Sequence, residues 1–339
     1  MLPNNPKFLI LSDFHRGSYK IIGDLFAESL ACFGKVEHLS SPSKKQDRLK
    51  LSKKFKGSVV LHNTLGEGFV PLANCHNVAM PFHEWSEYPA NWIDLLNEFD
   101  EVWTTTDHVR EILLRGGLNI PVTKLPPALD REKVPVKKDW KTSVKPSFLF
   151  VGEPHFRKGH HLLMQGYLKA FPRKNDAKLT IKTTPGCEWE SPREDIELIK
   201  EQWSRNRLLS EYLKHDCFVS ASLGEGLGLP LTEAIMAELP VCTNLWGGHK
   251  CLLAQDGFVE IAHDEILQPF TSNPAFYAEG QKCAYSSPQN VKKALLEFLD
   301  IGPERKLEMT KLAKKHLLQT YGSKAVKERH QSHLSKLGD

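Results

Sequence analysis

Short β-rich apolar runs alternate with longer stretches in which apolar residues recur at helical spacing, from one end of the chain to the other. That texture is the signature of βα units on a parallel sheet. In the first part, strands are predicted at Lys7–Ser12, near Val36–His38, and at Ser58–His62, Asn77–Met80, Glu101–Thr104 and Val122–Lys124. Trp92–Phe99 (WIDLLNEF) reads as a helix, as does Asp107–Leu114, which Gly116–Gly117 stops. Residues 126–146 then break the rhythm with prolines and lysines and little apolar periodicity, the mark of an exposed linker.

The alternation restarts at Ser147–Val151 and continues with strands at Leu179–Lys182, Ile196–Ile199, Cys217–Ser220, Val241–Thr243 and Phe258–Ile261. Helices are expected at His161–Phe171, Arg207–Lys214 and Pro230–Glu238, and Val291–Leu337 is almost wholly helical in pattern. The expected architecture is α/β, with two Rossmann-like doubly wound parallel sheets. Residues 1–135 and 146–305 form the two domains, and a helical segment at 306–339 packs back on the first. Open sheets of this kind bind ligands at the carboxyl ends of their strands, so a cleft between the two sets is expected.

Composition narrows the class. The 339 residues are 40% apolar and 25% charged, the mix of a soluble globular protein, expected to be cytoplasmic. A net charge of +4 is too mild to call for nucleic acid, and none is expected as a partner. The seven cysteines are scattered with no CxxC pair, so reduced thiols are expected rather than a disulfide framework or zinc site. No segment reads as a signal peptide or membrane span. Residues 43–56 (SKKQDRLKLSKKFK) are dense in Lys and Arg; such a run is most often a solvated face. A weak peripheral contact with the inner face of an anionic membrane is its other use.

The most informative segment is Cys217–Pro240 (CFVSASLGEGLGLPLTEAIMAELP), where a strand enters Gly224–Gly228 and Pro230 opens a helix. Glycines admit a ligand close to the backbone, and freed N–H groups at a helix start make an anion site that suits a diphosphate. Glu225 and Glu233 stand in the loop and the first helical turn. Carboxylates accept well from sugar hydroxyls, ribose included, so the pair suggests a ligand with hydroxyls at both ends and a diphosphate between. A structural turn, or a dinucleotide site with unusual spacing, would give the same glycines. In Phe148–Leu163 (FLFVGEPHFRKGHHLL), a strand ends at Gly152 and a loop carries Arg157 and Lys158, cations able to neutralise a diphosphate. No Asp-x-Asp pair exists to hold a metal on a diphosphate, so neither metal nor cofactor is expected.

Together these segments resemble retaining glycosyltransferase family 4 of the GT-B fold, whose hallmark Glu-x7-Glu is Glu225–Glu233 here. VGEPHFRKG resembles that family's phosphate-binding strand and loop, and FDEVWTTTDHVREILLRGG the end of its N-terminal domain. The resemblance implies a retaining, hexosyltransferase-like enzyme of glycan biosynthesis using a UDP- or GDP-sugar donor. Its acceptor would be a carbohydrate, a lipid-linked glycan or a protein. It implies that Lys158 and Arg157 bind the donor diphosphate, Glu225 the donor sugar and Glu233 the ribose. The backbone of Gly226, Leu227, Gly228 and Leu229 caps the distal phosphate. Glu153 departs from the pattern, since the family often has Arg there, and leaves Arg157 as the substitute.

Acceptor contacts are expected from His83 and Glu84, just past the Asn77–Met80 strand and beside Trp85 and Tyr88. Arg16 and Gly17 after the first strand, and His62 at the end of the third, complete the acceptor set. Catalysis is assigned to Glu225, Lys158 and His83. A non-catalytic nucleotide-sugar or glycan binder of the same fold is the alternative.

Overall fold

The computed structural model describes residues 7–14, 17–130, 133–268 and 277–337. His15 and Arg16 lie outside the described residues. The chain divides into two compact units, the first from residues 1–132, 268–281 and 318–339, the second from residues 133–267 and 282–317.

In the first unit the order is β1 (Lys7–Ser12), α1 (Gly17–Leu30), β2 (Lys35–Ser40), α2 (Lys45–Lys54), β3 (Val59–Asn63), β4 (His76–Ala79), α3 (Ala90–Leu96), β5 (Glu101–Thr104), α4 (Asp107–Arg115) and β6 (Val122–Lys124). The strands form one sheet in the order β2-β1-β3-β4-β5-β6, with every pairing parallel. Parallel strands covered on both faces must be apolar along their length, and β1 is buried from Phe8 to Ser12. Leu9, Leu11, Phe55, Val60 and Leu72 form one core cluster; Trp92, Ile93, Leu96, Val102 and Val109 belong to another.

Two helices of this unit escape the pattern reading. Helix α1 buries Ile22, Phe26, Ser29 and Leu30, a helical spacing that follows the expected acceptor loop. The lysine-rich run is helix α2, exposed along its lysines but anchored by Leu51 and Phe55 against the core. The expected linker also begins later than proposed, because residues 125–129 are buried and Ala128 N–H donates to Ser29 Oγ.

The second unit continues with β7 (Ser147–Val151), α5 (His160–Ala170), β8 (Lys178–Lys182), β9 (Ile196–Ile199), α6 (Arg205–Glu211), β10 (Cys217–Ser220), α7 (Leu229–Met236), β11 (Val241–Thr243) and β12 (Val259–Glu260). β13 (Asp264–Leu267), β14 (Lys282–Tyr285), α8 (Pro288–Asp300), α9 (Pro303–Tyr321) and α10 (Ser323–Lys336) complete the chain. Its six-stranded parallel sheet runs β12-β11-β10-β7-β8-β9, and β13 pairs antiparallel with β14 apart from it. From β7 the chain moves outward through β8 to β9, then returns to the other side of β7 as β10. That reversal makes β7 and β10 the topological switch point, where their carboxyl ends diverge and leave room for a ligand. Side-chain caps begin several helices, as Ser204 Oγ accepts from Arg207 N–H on α6 and Ser287 Oγ from Asn290 N–H on α8. All seven cysteines are free thiols.

The last helix, α10, belongs to the first unit and is tied to it by a buried carboxylate. Glu101 on β5 bonds His76 Nε2 at 3.0 Å and His333 Nε2 at 2.7 Å. Burial would raise the Glu101 pKa, but the hydrogen bonds from His333 and His76 outweigh it and hold the carboxyl at about 2. Burial likewise opposes charge on His76, and Glu101 overcomes it to raise the imidazole. The Glu101 contribution is present above the ordinary carboxylate range and lost as pH falls through the lowered value. The His76 contribution is present below the ordinary imidazole value and lost as pH rises through the raised one. Glu101→Gln is therefore expected to cost about 2 kcal/mol near pH 6. Urea denaturation at pH 6 and pH 9 should show the penalty shrinking at the higher pH.

Candidate active site

Three loops meet at the carboxyl ends of adjacent strands β11, β10 and β7 in the second unit. The loop after β7 carries Arg157 and Lys158 in a single 3-10 turn that ends at Gly159, with φ of 68°. Only glycine fits there, because a Cβ would lie 1.9 Å from the carbonyl oxygen of Ala221. This contact presses the basic turn onto the loop after β10, and Leu223 N–H donates to the Arg157 carbonyl at 2.7 Å.

Glu225 is the centre of that loop. Its carboxylate is almost wholly buried and accepts from Lys158 Nζ at 2.7 and 2.9 Å. Arg157 Nη1 stands 3.3 Å from Glu225 Oε2 and donates to the Gly224 carbonyl. Ser222 Oγ is 3.0 Å from Glu225 Oε1. Burial by itself would raise the Glu225 pKa, but the Lys158 and Arg157 charges, with a smaller effect from His249, hold it at about 2. One carboxylate between two cations is thus ionised at every pH a cell reaches. Lys158, Arg157 and Glu225 are brought into direct contact, and Glu153 on the same loop is exposed.

Gly226, Leu227 and Gly228 are buried and lead into α7, with Gly228 at its N-terminus in a left-handed conformation, φ 91°. Leu229 and Pro230 begin the helix. The loop after β11 backs this turn. Gly248 N–H donates to the Glu225 carbonyl at 2.7 Å, and a Cβ on Gly248 would meet the Gly226 carbonyl at 2.4 Å.

Glu233, one turn into α7, is held separately. Arg205 Nη1 lies 2.5 Å from Oε1, and the hydroxyl of the fully buried Tyr212 donates to Oε2 at 2.6 Å. A hydroxyl-to-carboxylate bond in such a site is charge-assisted, so Tyr212→Phe is expected to cost about 2 kcal/mol. The midpoint of urea unfolding measures it, with the m-value unchanged.

Among the expected acceptor residues of the first unit, His83 is buried with Nε2 2.5 Å from the Glu87 carbonyl oxygen and its ring edge-on to Tyr88. A carbonyl only accepts, so Nε2 carries the proton. Glu84 is half-buried, and both it and Tyr19 bear electrostatically on Tyr88. Tyr19 in turn meets Phe82 edge-on, and its carbonyl accepts from Asn63. Gly17 is exposed at the start of α1. His62 differs. It is buried, bonded to Asn77 Oδ1 at 3.0 Å and edge-on to Phe99, and burial lowers its pKa to about 4. Its contacts are those of a core histidine, which the alternating apolar strand around it concealed.

Sequence reasoning missed Ser222, Arg205, Tyr212 and His249. The signal for His249 was present in Trp246-Gly-Gly-His249, a glycine pair after a strand, much as Gly224 and Gly226 flank Glu225 after β10. Arg205 and Tyr212 carried no local signal, since only the fold brings α6 and the turn that follows it to Glu233.

The chain has relatives. Residues 145–273 match the family model for glycosyl transferases group 1. The serotype-specific mannosyltransferase WbdA of Escherichia coli is 28% identical over 163 residues, which is 45% of this chain and 17% of that protein. A glycosyltransferase from Rickettsia africae superposes with a TM-score of 0.67 at 12% identity, covering 98% of this chain and 99% of that one. The fold is GT-B. OtsA shares this GT-B architecture with a TM-score of 0.66 at 9% identity, covering 97% of this chain and 99% of its own. TarM of S. aureus, solved with UDP and α-GlcNAc-glycerol, aligns at 0.63 and 12% identity over 84% of this chain and 57% of TarM. The chain thus spans little more than half of TarM and under a fifth of WbdA. The GT-B switch point of the second unit lies within the family match and holds the Lys158–Arg157–Glu225 cluster.

Proposed function

We propose that the chain is a retaining glycosyltransferase of the family 4 type, which moves a sugar from a nucleotide-diphosphate sugar to an acceptor hydroxyl without a metal ion. The observation that carries this reading is the buried Lys158–Arg157–Glu225 cluster at the carboxyl ends of β7 and β10. Two cations and the start of α7 suit a diphosphate, and a carboxylate with a pKa of about 2 suits the hydroxyls of a sugar. The group 1 family match covers the same residues, and WbdA is a mannosyltransferase.

In this reading the bond from sugar C1 to the diphosphate oxygen breaks with oxocarbenium character. The acceptor oxygen bonds to C1 on the same face, and its proton passes to the leaving phosphate. Lys158 and Arg157 stabilise the charge that builds on the diphosphate, while Glu225 orients the sugar by accepting from its hydroxyls. The backbone of Gly226–Leu229 faces the distal phosphate, and Glu233, fixed by Arg205 and Tyr212, takes the ribose hydroxyls. His83, with Glu84 and Gly17, orients the acceptor hydroxyl. No helix of the described residues is long and apolar enough to cross a membrane, and the lysine face of α2 suits a lipid-linked acceptor in an anionic leaflet.

Incubation with a panel of UDP- and GDP-sugars and glycan acceptors, read by mass spectrometry, tests the function. Transfer with retained anomeric configuration, undiminished by EDTA, is the expected result. Donor binding with neither transfer nor hydrolysis would instead make the protein a nucleotide-sugar binder. Loss of transfer in EDTA, restored by Mg²⁺ or Mn²⁺, would overturn metal independence.

A further inference from the structure

His249 stands beside the donor cluster without any role so far. It sits in the short 3-10 turn after β11 and is 2% exposed. Nδ1 lies 3.2 Å from Thr243 Oγ1, at the β11 end of the ring. The opposite edge faces the glycine loop, where a Cβ on Gly228 would come within 2.9 Å of both Nε2 and Cδ2. Glu225, Lys158 and Arg157 are the charged groups that bear on the ring. Burial, only partly countered by Glu225, lowers its pKa to about 4, so the imidazole is neutral at physiological pH.

A ring N–H also bonds the Asn244 backbone, and with Nδ1–H on the Thr243 side Nε2 presents a lone pair toward the glycine loop, beside the Lys158 and Arg157 cations. A lone pair repels phosphate oxygens, so the diphosphate is the wrong partner. A hydroxyl is the right one, and Glu225 already marks the hydroxyl-binding side of the site. We infer that His249 contacts the donor through Nε2, accepting a hydrogen bond from a hydroxyl of the transferred sugar. This rests on the reading of the site as a nucleotide-sugar site and adds a specificity-determining residue to it.

The test compares wild type, His249→Phe, His249→Leu and His249→Gln with the nucleotide sugar that wild type turns over and with the matching nucleoside diphosphate. His249→Phe and His249→Leu should lower kcat/KM for the nucleotide sugar about tenfold. Calorimetric affinity for the nucleoside diphosphate should shift less than about twofold, since the lost contact is to the sugar. His249→Gln, whose amide oxygen also accepts, should recover most of the loss. Equal losses for the sugar nucleotide and the nucleoside diphosphate, or a Gln variant as impaired as the Leu variant, would overturn the assignment. Deoxy-sugar donors give a second measure, which stands even where one apolar variant fails to fold. One hydroxyl deletion should penalise wild type but not His249→Leu, and fully additive penalties refute the contact. Normal turnover in every variant overturns the role of His249 alone. A wild type that neither binds nor turns over any donor overturns the nucleotide-sugar site and this contact together.

Discussion

Glu225→Gln is expected to lower kcat/KM for the nucleotide sugar by about 10³-fold while the protein still binds the nucleoside diphosphate. The substitution keeps the shape of the side chain and removes its charge. Lys158 Nζ lies within 2.9 Å of both carboxylate oxygens and Arg157 Nη1 within 3.3 Å of one, so the two cations lose the anion that fixes them. A bound diphosphate offers them a substitute anion, and its affinity should hold or rise. The sugar has no such substitute, and its turnover falls. Stability follows the same charge. The carboxyl is held at about 2 against an ordinary 4.5, so its contribution is full above the ordinary value and lost as pH falls toward 2. At pH 7 the variant should lose ~3 kcal/mol, and at pH 3 the deficit should fall to roughly half or less. Steady-state kinetics, calorimetry and urea unfolding at pH 7 and pH 3 separate these effects. Undiminished turnover would refute the role of the cluster.

Gly159→Ala should disrupt the site as severely by a purely steric route. The added methyl would lie 1.9 Å from the Ala221 carbonyl oxygen, which belongs to backbone and cannot rotate away, and φ is 68°. Either the turn bearing Arg157 and Lys158 lifts from the Glu225 loop, or both loops shift together. The expected cost is at least ~3 kcal/mol, more than the ~1 kcal/mol of left-handed backbone strain alone. Gly186→Ala is the matched control, with φ of 81° and no atom within 4 Å of the added methyl. Thermal denaturation and kcat/KM of both variants decide the matter. Gly159→Ala should lose nearly all activity and Gly186→Ala nearly none. Equal behaviour would show that strain, rather than the contact with Ala221, governs this turn.

Much of the fold was legible because parallel strands leave a dense apolar record. Strands such as Ser147–Val151 and Cys217–Ser220 are buried through their centres, so their runs stand out from the amphipathic helices between them. The lysine run hid α2 because so little of that helix faces the core, with Leu51 its main apolar contact. The β13–β14 pair was missed for a related reason, since its first strand, DEIL, is half polar and largely exposed. Residues 126–129 looked like linker from their prolines, yet tertiary burial claims them.

By itself the sequence determined the doubly wound α/β plan, the position of the glycine loop before α7, and the presence there of Glu225, Arg157 and Lys158. Periodicity, helix starts and glycine placement are local properties, so they survive in one dimension. Only the tertiary structure decided that Lys158 and Arg157 close directly on Glu225, that Arg205 and Tyr212 hold Glu233, and that His62 packs in the core. It also set His249 against Gly228. Those pairings join residues far apart along the chain, and what selects them is the order of strands in the sheet and the space left between their loops.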